Sequence, residues 1–363
     1  MKKIVLVALL LTMLNSIANG QSGKIENVII ITTDGFRWQE MYKGMDSALA
    51  SDKRFNQQDS SGIFRKYWAS TSQERRKKLM PFLWTTISSG GRLYGNRDLN
   101  SNVNNANPYW FSYPGYNEIF TGFVDTAINT NAYPPNPNTN LLEFLNKQKV
   151  FRGKVAAFGA WDAFDRILNE QRSGFPVVCG NDPCGGAHPD AEQQLINKMK
   201  LDEYSPFGNE EQLDVFTHYA ALDYLKKQHT RALYISYGET DEWAHHGHYK
   251  DYLNAAHTVD KWIGDIWNYI QTDTRYKNKT LLFITVDHGR GLGEQWTSHN
   301  NKTPNSNEIW FAVMGPCITP SGEMSNTPQL YQKQFAQTIA QLLGLKFVCE
   351  HDVSNGFKEL LMK

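Results

Sequence analysis

The chain has 363 residues, with 37 Lys and Arg balanced by 37 Asp and Glu, and 40% of it is hydrophobic. That balance excludes disordered, collagen-like and coiled-coil chains, and zero net charge speaks against a nucleic-acid partner, which needs a cationic surplus. Aromatic residues make up 13% of the chain, spread without a repeat period, so solenoid and propeller arrays are excluded as well.

Residues 1–20 read as a leader and not as fold. Lys2 and Lys3 precede the apolar run 4–14, and Ala18 and Gly20 supply small residues for cleavage before Gln21. The run falls short of the roughly 20 residues a bilayer span needs. The expectation is therefore an exported protein, periplasmic or secreted, with no membrane anchor. In an oxidising compartment the four cysteines read as disulfides, Cys179 with Cys184 and Cys317 with Cys349. A zinc site is the weaker reading, because the spacing is not Cys-x-x-Cys.

Short apolar runs that end in a carboxylate dominate the rest of the chain. In chain order, the predicted strand 28–33 runs into Asp34, 155–160 into Trp161 and Asp162, and 233–237 through Gly238 to Asp241. The last, 281–286, runs into Asp287 and His288. Continuous rather than alternating apolar runs mean strands covered on both faces. The fold class is therefore α/β, a largely parallel central sheet flanked by helices on both faces, with ligands bound at the carboxyl ends of the strands. Apolar residues stepping by three or four predict helices over 252–270 and 335–343. Long Asn- and Pro-rich stretches at 96–108, 129–140, 172–189 and 297–307 read as functional loops. No interdomain linker is evident, so 21–363 reads as one domain with a small cap around 172–215.

Asp241 and His245 stand four apart just past a strand, so one helical turn would point both to the same side, where they could share a metal. Alone the spacing is weak, and His246 and His248 are alternatives beside it. Asp34 before Gly35 could open a turn, and Ser112, before a helix starting near Pro114, could be a plain helix cap. Their conjunction changes the balance. Three strand-terminal acids at one sheet edge, two with a nearby histidine, would repel unless a divalent metal compensated them. Mixed Asp/His ligation favours zinc, and His299 supplies the further imidazole that a second ion needs. Ser112 is the nucleophile candidate, because a helix N-terminus favours an anion such as phosphate.

These residues fall in motifs with a familiar order: TTDGFR at 32–37, SYPGYNEIFTG at 112–122, TDEWAH at 240–245, VDHG at 286–289, then His299. The pattern resembles the alkaline phosphatase superfamily, and within it the branch of nucleotide pyrophosphatases/phosphodiesterases and related exported phosphatases. The resemblance implies a two-metal phosphoester hydrolase acting through a phosphoserine. Asp34, Asp287 and His288 would hold one zinc, and Asp241, His245 and His299 the other. Asn131, with Asn129 as fallback, resembles the asparagine that donates to a phosphate oxygen, and Arg166 resembles a cation used on monoesters. The substrate class is a small phosphate ester, monoester or diester. Sulfatases resembling this pattern carry C/S-x-P-x-R, whereas Tyr116 stands here in place of the arginine. Phosphomutases have a larger insert than the residues between Ser112 and Asp241. The competing class is a metal-containing binding protein or inactive relative. Tyr116, Trp161 and Trp243 either shape a leaving-group pocket or pack the core.

Overall fold

The computed structural model describes residues 24–361; the leader expected over 1–20 lies outside them. The four predicted strands form at Asn27–Thr33 (β1), Val155–Gly159 (β4), Ala232–Tyr237 (β6) and Thr280–Thr285 (β7). Gly91–Tyr94 (β2), Val177–Cys179 (β5), Phe311–Met314 (β9) and Gly322–Glu323 (β10) complete an eight-stranded sheet in the order β10-β2-β9-β7-β1-β6-β4-β5. The block β7-β1-β6-β4-β5 is parallel throughout, and β9 runs antiparallel to both β7 and β2. Every residue of β1, β6 and β7 is buried, as their unbroken apolar runs require of strands covered on both faces.

Register is what assembles the site. Thr33 of β1 pairs with Tyr237 of β6, and Thr32 pairs with Thr285 of β7. The three central strands therefore end level, and the chain leaves each of them at the same edge carrying Asp34, Gly238–Asp241 and Asp287–His288. The predicted helices form at Tyr249–Thr272 and Phe335–Leu342, and a further helix begins at Ser112 (Ser112–Thr121), two residues ahead of Pro114. A three-stranded sheet at that edge joins Leu330–Tyr331 (β11), Val103–Asn104 (β3) and Glu308–Ile309 (β8).

Within 172–215, β5 belongs to the main sheet, and the helix Ala191–Asp202 packs beside Asp214–Gln228. The chain then lays 210–212 against the end of β4, with Asp162 N–H donating to Glu210 O (2.8 Å) and Gln212 N–H to Ala160 O (3.0 Å). Among the described residues no helix is long and apolar enough to cross a membrane.

Neither expected disulfide is formed. Cys179 Sγ donates to Asp162 O (3.1 Å), while Cys184 is tied to the Ala191–Asp202 helix, where Asn197 bonds its N–H, its carbonyl and its Sγ. The two sulfurs are thus drawn to different neighbours despite their proximity in sequence. Cys349 Sγ lies 3.2 Å from His351 Nε2, and burial pushes the Cys179 thiol far above its ordinary value.

Candidate metal centre

Asp34, Asp287 and His288 form the inner group. Asp287 and His288 are fully buried. His288 Nε2 lies 3.3 Å from Asp34 Oδ1 and 3.4 Å from Asp287 Oδ2, yet neither oxygen has a hydrogen bond. Tyr116 O–H donates to the other Asp34 oxygen (2.8 Å), and Gly35 N–H donates to Asp287 Oδ1 (3.1 Å). The Asp287 carbonyl is locked by Asn105 Nδ2 (2.6 Å) and Gln332 Nε2 (2.8 Å), residues adjoining β3 and β11. Gly115 lies so close to this backbone that a Cβ there would meet Asp287 O.

Asp241, His245 and His299 form the outer group. Asp241 and His245 lie on the helix Glu239–His245, and His299 lies on the loop after the short helix Gly293–Thr297. Asp241 Oδ2 is 2.9 Å from His245 Nε2 and 3.7 Å from His299 Nε2, and the two imidazole nitrogens are 3.0 Å apart. The groups touch: the His288 and His299 rings stack at 3.9 Å, and Asp241, His288 and His299 also converge within metal-binding reach of one another. Of the neighbouring histidines, His246 bonds its own helix at Glu242 O, and His248 stacks on Trp243, which leaves His245 at the cluster.

Electrostatics agree with a cation between these groups. Burial, then the Asp34 carboxylate, pushes Asp287 well above its ordinary value. Burial alone would lower the His288 imidazole, but the Asp287 and Asp34 carboxylates outweigh it and hold the ring at about 9. Burial, then the His288 charge, pushes His299 well down. A proton on His288 thus stands where carboxylates crowd together. The unbonded oxygens of Asp34 and Asp287, with carboxylate and imidazole donors converging from two sides, fit divalent cations.

Ser112 is the first residue of its helix, after Phe111 at the N-cap. Its hydroxyl does not cap the helix: Oγ lies 3.3 Å from His288 Nε2. Asn131 does that work, its Oδ1 accepting from Tyr113 N–H (3.0 Å). The approach to Ser112 is held by Glu118, a fully buried carboxylate that accepts from the N–H groups of Ala106, Asn107 and Lys333 and from Asn107 Nδ2. Trp110 takes a left-handed backbone (φ 57°), a strained choice for a tryptophan, and its carbonyl lies 3.4 Å from His299 Nδ1.

Arg166 is not brought to the cluster. Its guanidinium donates to Tyr133 O (3.0 Å) and Asn131 O (3.4 Å) and pairs with Asp162 and Asp165, so it holds the loop that carries Asn131. Asn129 is exposed and does not cap the Ser112 helix. Tyr116 is core and site at once, buried with its hydroxyl on Asp34. The residue that sequence reasoning missed is Arg290. It is 1% exposed and paired to Asp241, and a lone arginine in a Gly-rich loop carries no sequence signal of burial.

Residues 203–346 match the family model of the Metalloenzyme superfamily, a span that holds Asp241, His245, Asp287, His288 and His299. The described fold is similar to that of the lipoteichoic acid synthase LtaP from Listeria monocytogenes (14% identity, 95% of this chain and 78% of that one, TM-score 0.59). It is also similar to the alkaline phosphatase PafA (10% identity, 89% and 96%, TM-score 0.57). The fold is alkaline phosphatase-like. A 2-O GAG sulfatase shares it too (13% identity, 90% and 72%, TM-score 0.55). Comparison of the sequence with curated proteins gives no match.

Proposed function

We propose that the protein is an exported two-metal hydrolase of small phosphate esters that works through a phosphoserine at Ser112. The observation that carries this reading is the position of Ser112 Oγ, 3.3 Å from His288 Nε2 at a helix N-terminus, with the capping role taken by Asn131. Phe111 stands at the N-cap, so the Ser112 hydroxyl has no capping duty and is directed to the cluster.

Asp34, Asp287 and His288 would hold one ion and Asp241, His245 and His299 the other. Such ions, when bound, supply Lewis acidity toward the serine oxygen and the leaving oxygen. The chain's own part is positioning. Ser112 gives its hydroxyl proton to solvent and its Oγ attacks phosphorus in line; the bond to the leaving oxygen breaks, and that oxygen keeps the electron pair and takes up a proton from water. The Ser112 N–H and the Asn131 amide nitrogen hold the transferring oxygens, since Tyr113 N–H is bonded to Asn131 Oδ1 and Gly115 N–H to Phe111 O. Water then cleaves the phosphoserine and regenerates the hydroxyl. Arg166 positions Asn131 through the carbonyls of its loop.

Phosphate is preferred to sulfate in this reading because position 116 holds Tyr where the sulfatase pattern resembled has Arg, and the Tyr116 hydroxyl is committed to Asp34. The test is kcat/KM of zinc-loaded protein on p-nitrophenyl phosphate, bis-p-nitrophenyl phosphate and p-nitrophenyl sulfate. Turnover of a phosphate ester that falls on the order of 10³-fold or more in Ser112→Ala, with metal content unchanged, is the expected result. Faster sulfate turnover would reverse the substrate class. No turnover by metal-loaded protein would favour the binding-protein reading.

A further inference from the structure

Arg290 lies two residues past His288, in the turn that comes after β7. Its guanidinium donates from Nε to Trp296 O (2.8 Å), from Nη2 to Thr297 O (2.7 Å) and from Nη1 to Asp241 Oδ1. One rigid plane thus joins three stretches of chain: the turn carrying Asp287 and His288, the helix carrying Asp241 and His245, and the segment leading to His299. Gly35 makes room for it. Its backbone has φ 56°, and a Cβ there would collide with Asp241 Oδ1 and lie 3.0 Å from Arg290 Nη1. Behind it Arg37, ion-paired to Glu40, donates to Gly291 O (3.0 Å) and pins the far side of the turn.

Burying a guanidinium is costly, and Arg290 is 1% exposed. A backbone bond, Gly291 N–H to Ser298 O (3.0 Å), already joins the turn to the segment leading to His299 without that cost. What the arginine adds is occupancy of one particular oxygen. With Oδ1 of Asp241 bonded to Arg290, Oδ2 is the oxygen that faces His245 Nε2 (2.9 Å) and His299 Nε2 (3.7 Å).

We propose that Arg290 is the positioning residue of the outer ligand group: it makes Asp241 a one-oxygen ligand and sets the reach of His299 toward it. The inference rests on the reading that Asp241, His245 and His299 bind a cation. The inner group depends on it less, because Asp34 and Asp287 are fixed by Tyr116, Gly35, Asn105 and Gln332. Lysine cannot substitute, since a single ammonium does not span a carboxylate and two carbonyls as a planar fork does.

The experiment is a calorimetric titration of zinc into metal-free full-length wild type, Arg290→Lys, Arg290→Gln and His245→Ala, with the visible spectrum of the cobalt-loaded proteins alongside. Wild type is expected to take two ions. Arg290→Lys and Arg290→Gln are expected to keep one at wild-type affinity and to weaken the other about 10- to 100-fold, the range for removal of a group that orients a ligand. The weakened ion is the one His245→Ala loses, and the same component of the cobalt spectrum changes in each variant. Unchanged affinities in either folded Arg290 variant, or equal weakening of both ions, would overturn the positioning role while leaving the metal centre intact. A wild type that takes fewer than two ions would overturn the metal reading, and this inference with it.

Discussion

The two halves of the centre are built by different means. Asp34, Asp287 and His288 sit directly at the ends of β1 and β7, all three at 6% exposure or less, and sheet register alone brings them together. Asp241, His245 and His299 come from a seven-residue helix and a loop, and the His245 side chain is 42% exposed. No strand pairing reaches that outer half, and the buried Arg290 guanidinium, beside one backbone bond from Gly291 N–H to Ser298 O, takes the place of register. The difference teaches that a strand-end ligand is held by the core, whereas a loop ligand is held by specific hydrogen bonds and is more easily displaced.

The largest test of that contrast is a pair of ligand deletions. Asp287→Ala should lower phosphate-ester turnover on the order of 10³-fold or more, because it removes a fully buried donor that no solvent can replace. His245→Ala should lower it less, about 10²-fold, since water can reach the vacated outer position. Equal losses in kcat and metal content would erase the distinction between the halves. Next comes the approach to Ser112. Glu118→Ala leaves four N–H donors without their acceptor and should cost about 3 kcal/mol of unfolding free energy, with Glu118→Gln recovering part of it. Chemical denaturation of both variants would check this, and an unaltered midpoint would mean that the loop is held by other contacts.

The smallest effect lies outside the centre and serves as its control. Asp260, on the helix Tyr249–Thr272, accepts from Phe82 and Leu83 N–H (2.7 and 2.8 Å), yet burial pushes it up to about 7. The folded protein therefore holds a proton that the unfolded chain releases above 3.8, so this group's contribution to stability falls as pH rises from about 4 to 7. Asp260→Asn should flatten that part of the melting temperature's pH dependence without touching turnover. An unchanged slope would assign the pH dependence to other groups, the metal ligands among them.

Much of the inner half was legible in the sequence because β1, β6 and β7 are apolar on both faces, and such runs have no other stable placement than the middle of a covered sheet. Their terminal acids then had to share an edge. The outer half was legible as residue types, but the choice of His245 over His246 and His248 waited on the helix that turns one of them inward. Ser112 was ambiguous in sequence between cap and nucleophile, and the structure removes the first role by giving the cap to Asn131, from a loop a whole helix away. The cysteines went the other way. An even count suggested pairing, but Asn197 on a later helix captures Cys184 and draws it from Cys179.

The sequence by itself determined four parallel strands at the core of the sheet and the identity of the metal-ligand candidates, since periodicity and strand-end chemistry are local properties of the chain. Tertiary structure alone decided which buried charges meet. Arg290 on Asp241, Tyr116 on Asp34 and Glu118 on the loop before Ser112 are pairings in which burial makes each hydrogen bond costly to lose, and no local pattern announces which distant partner will supply it.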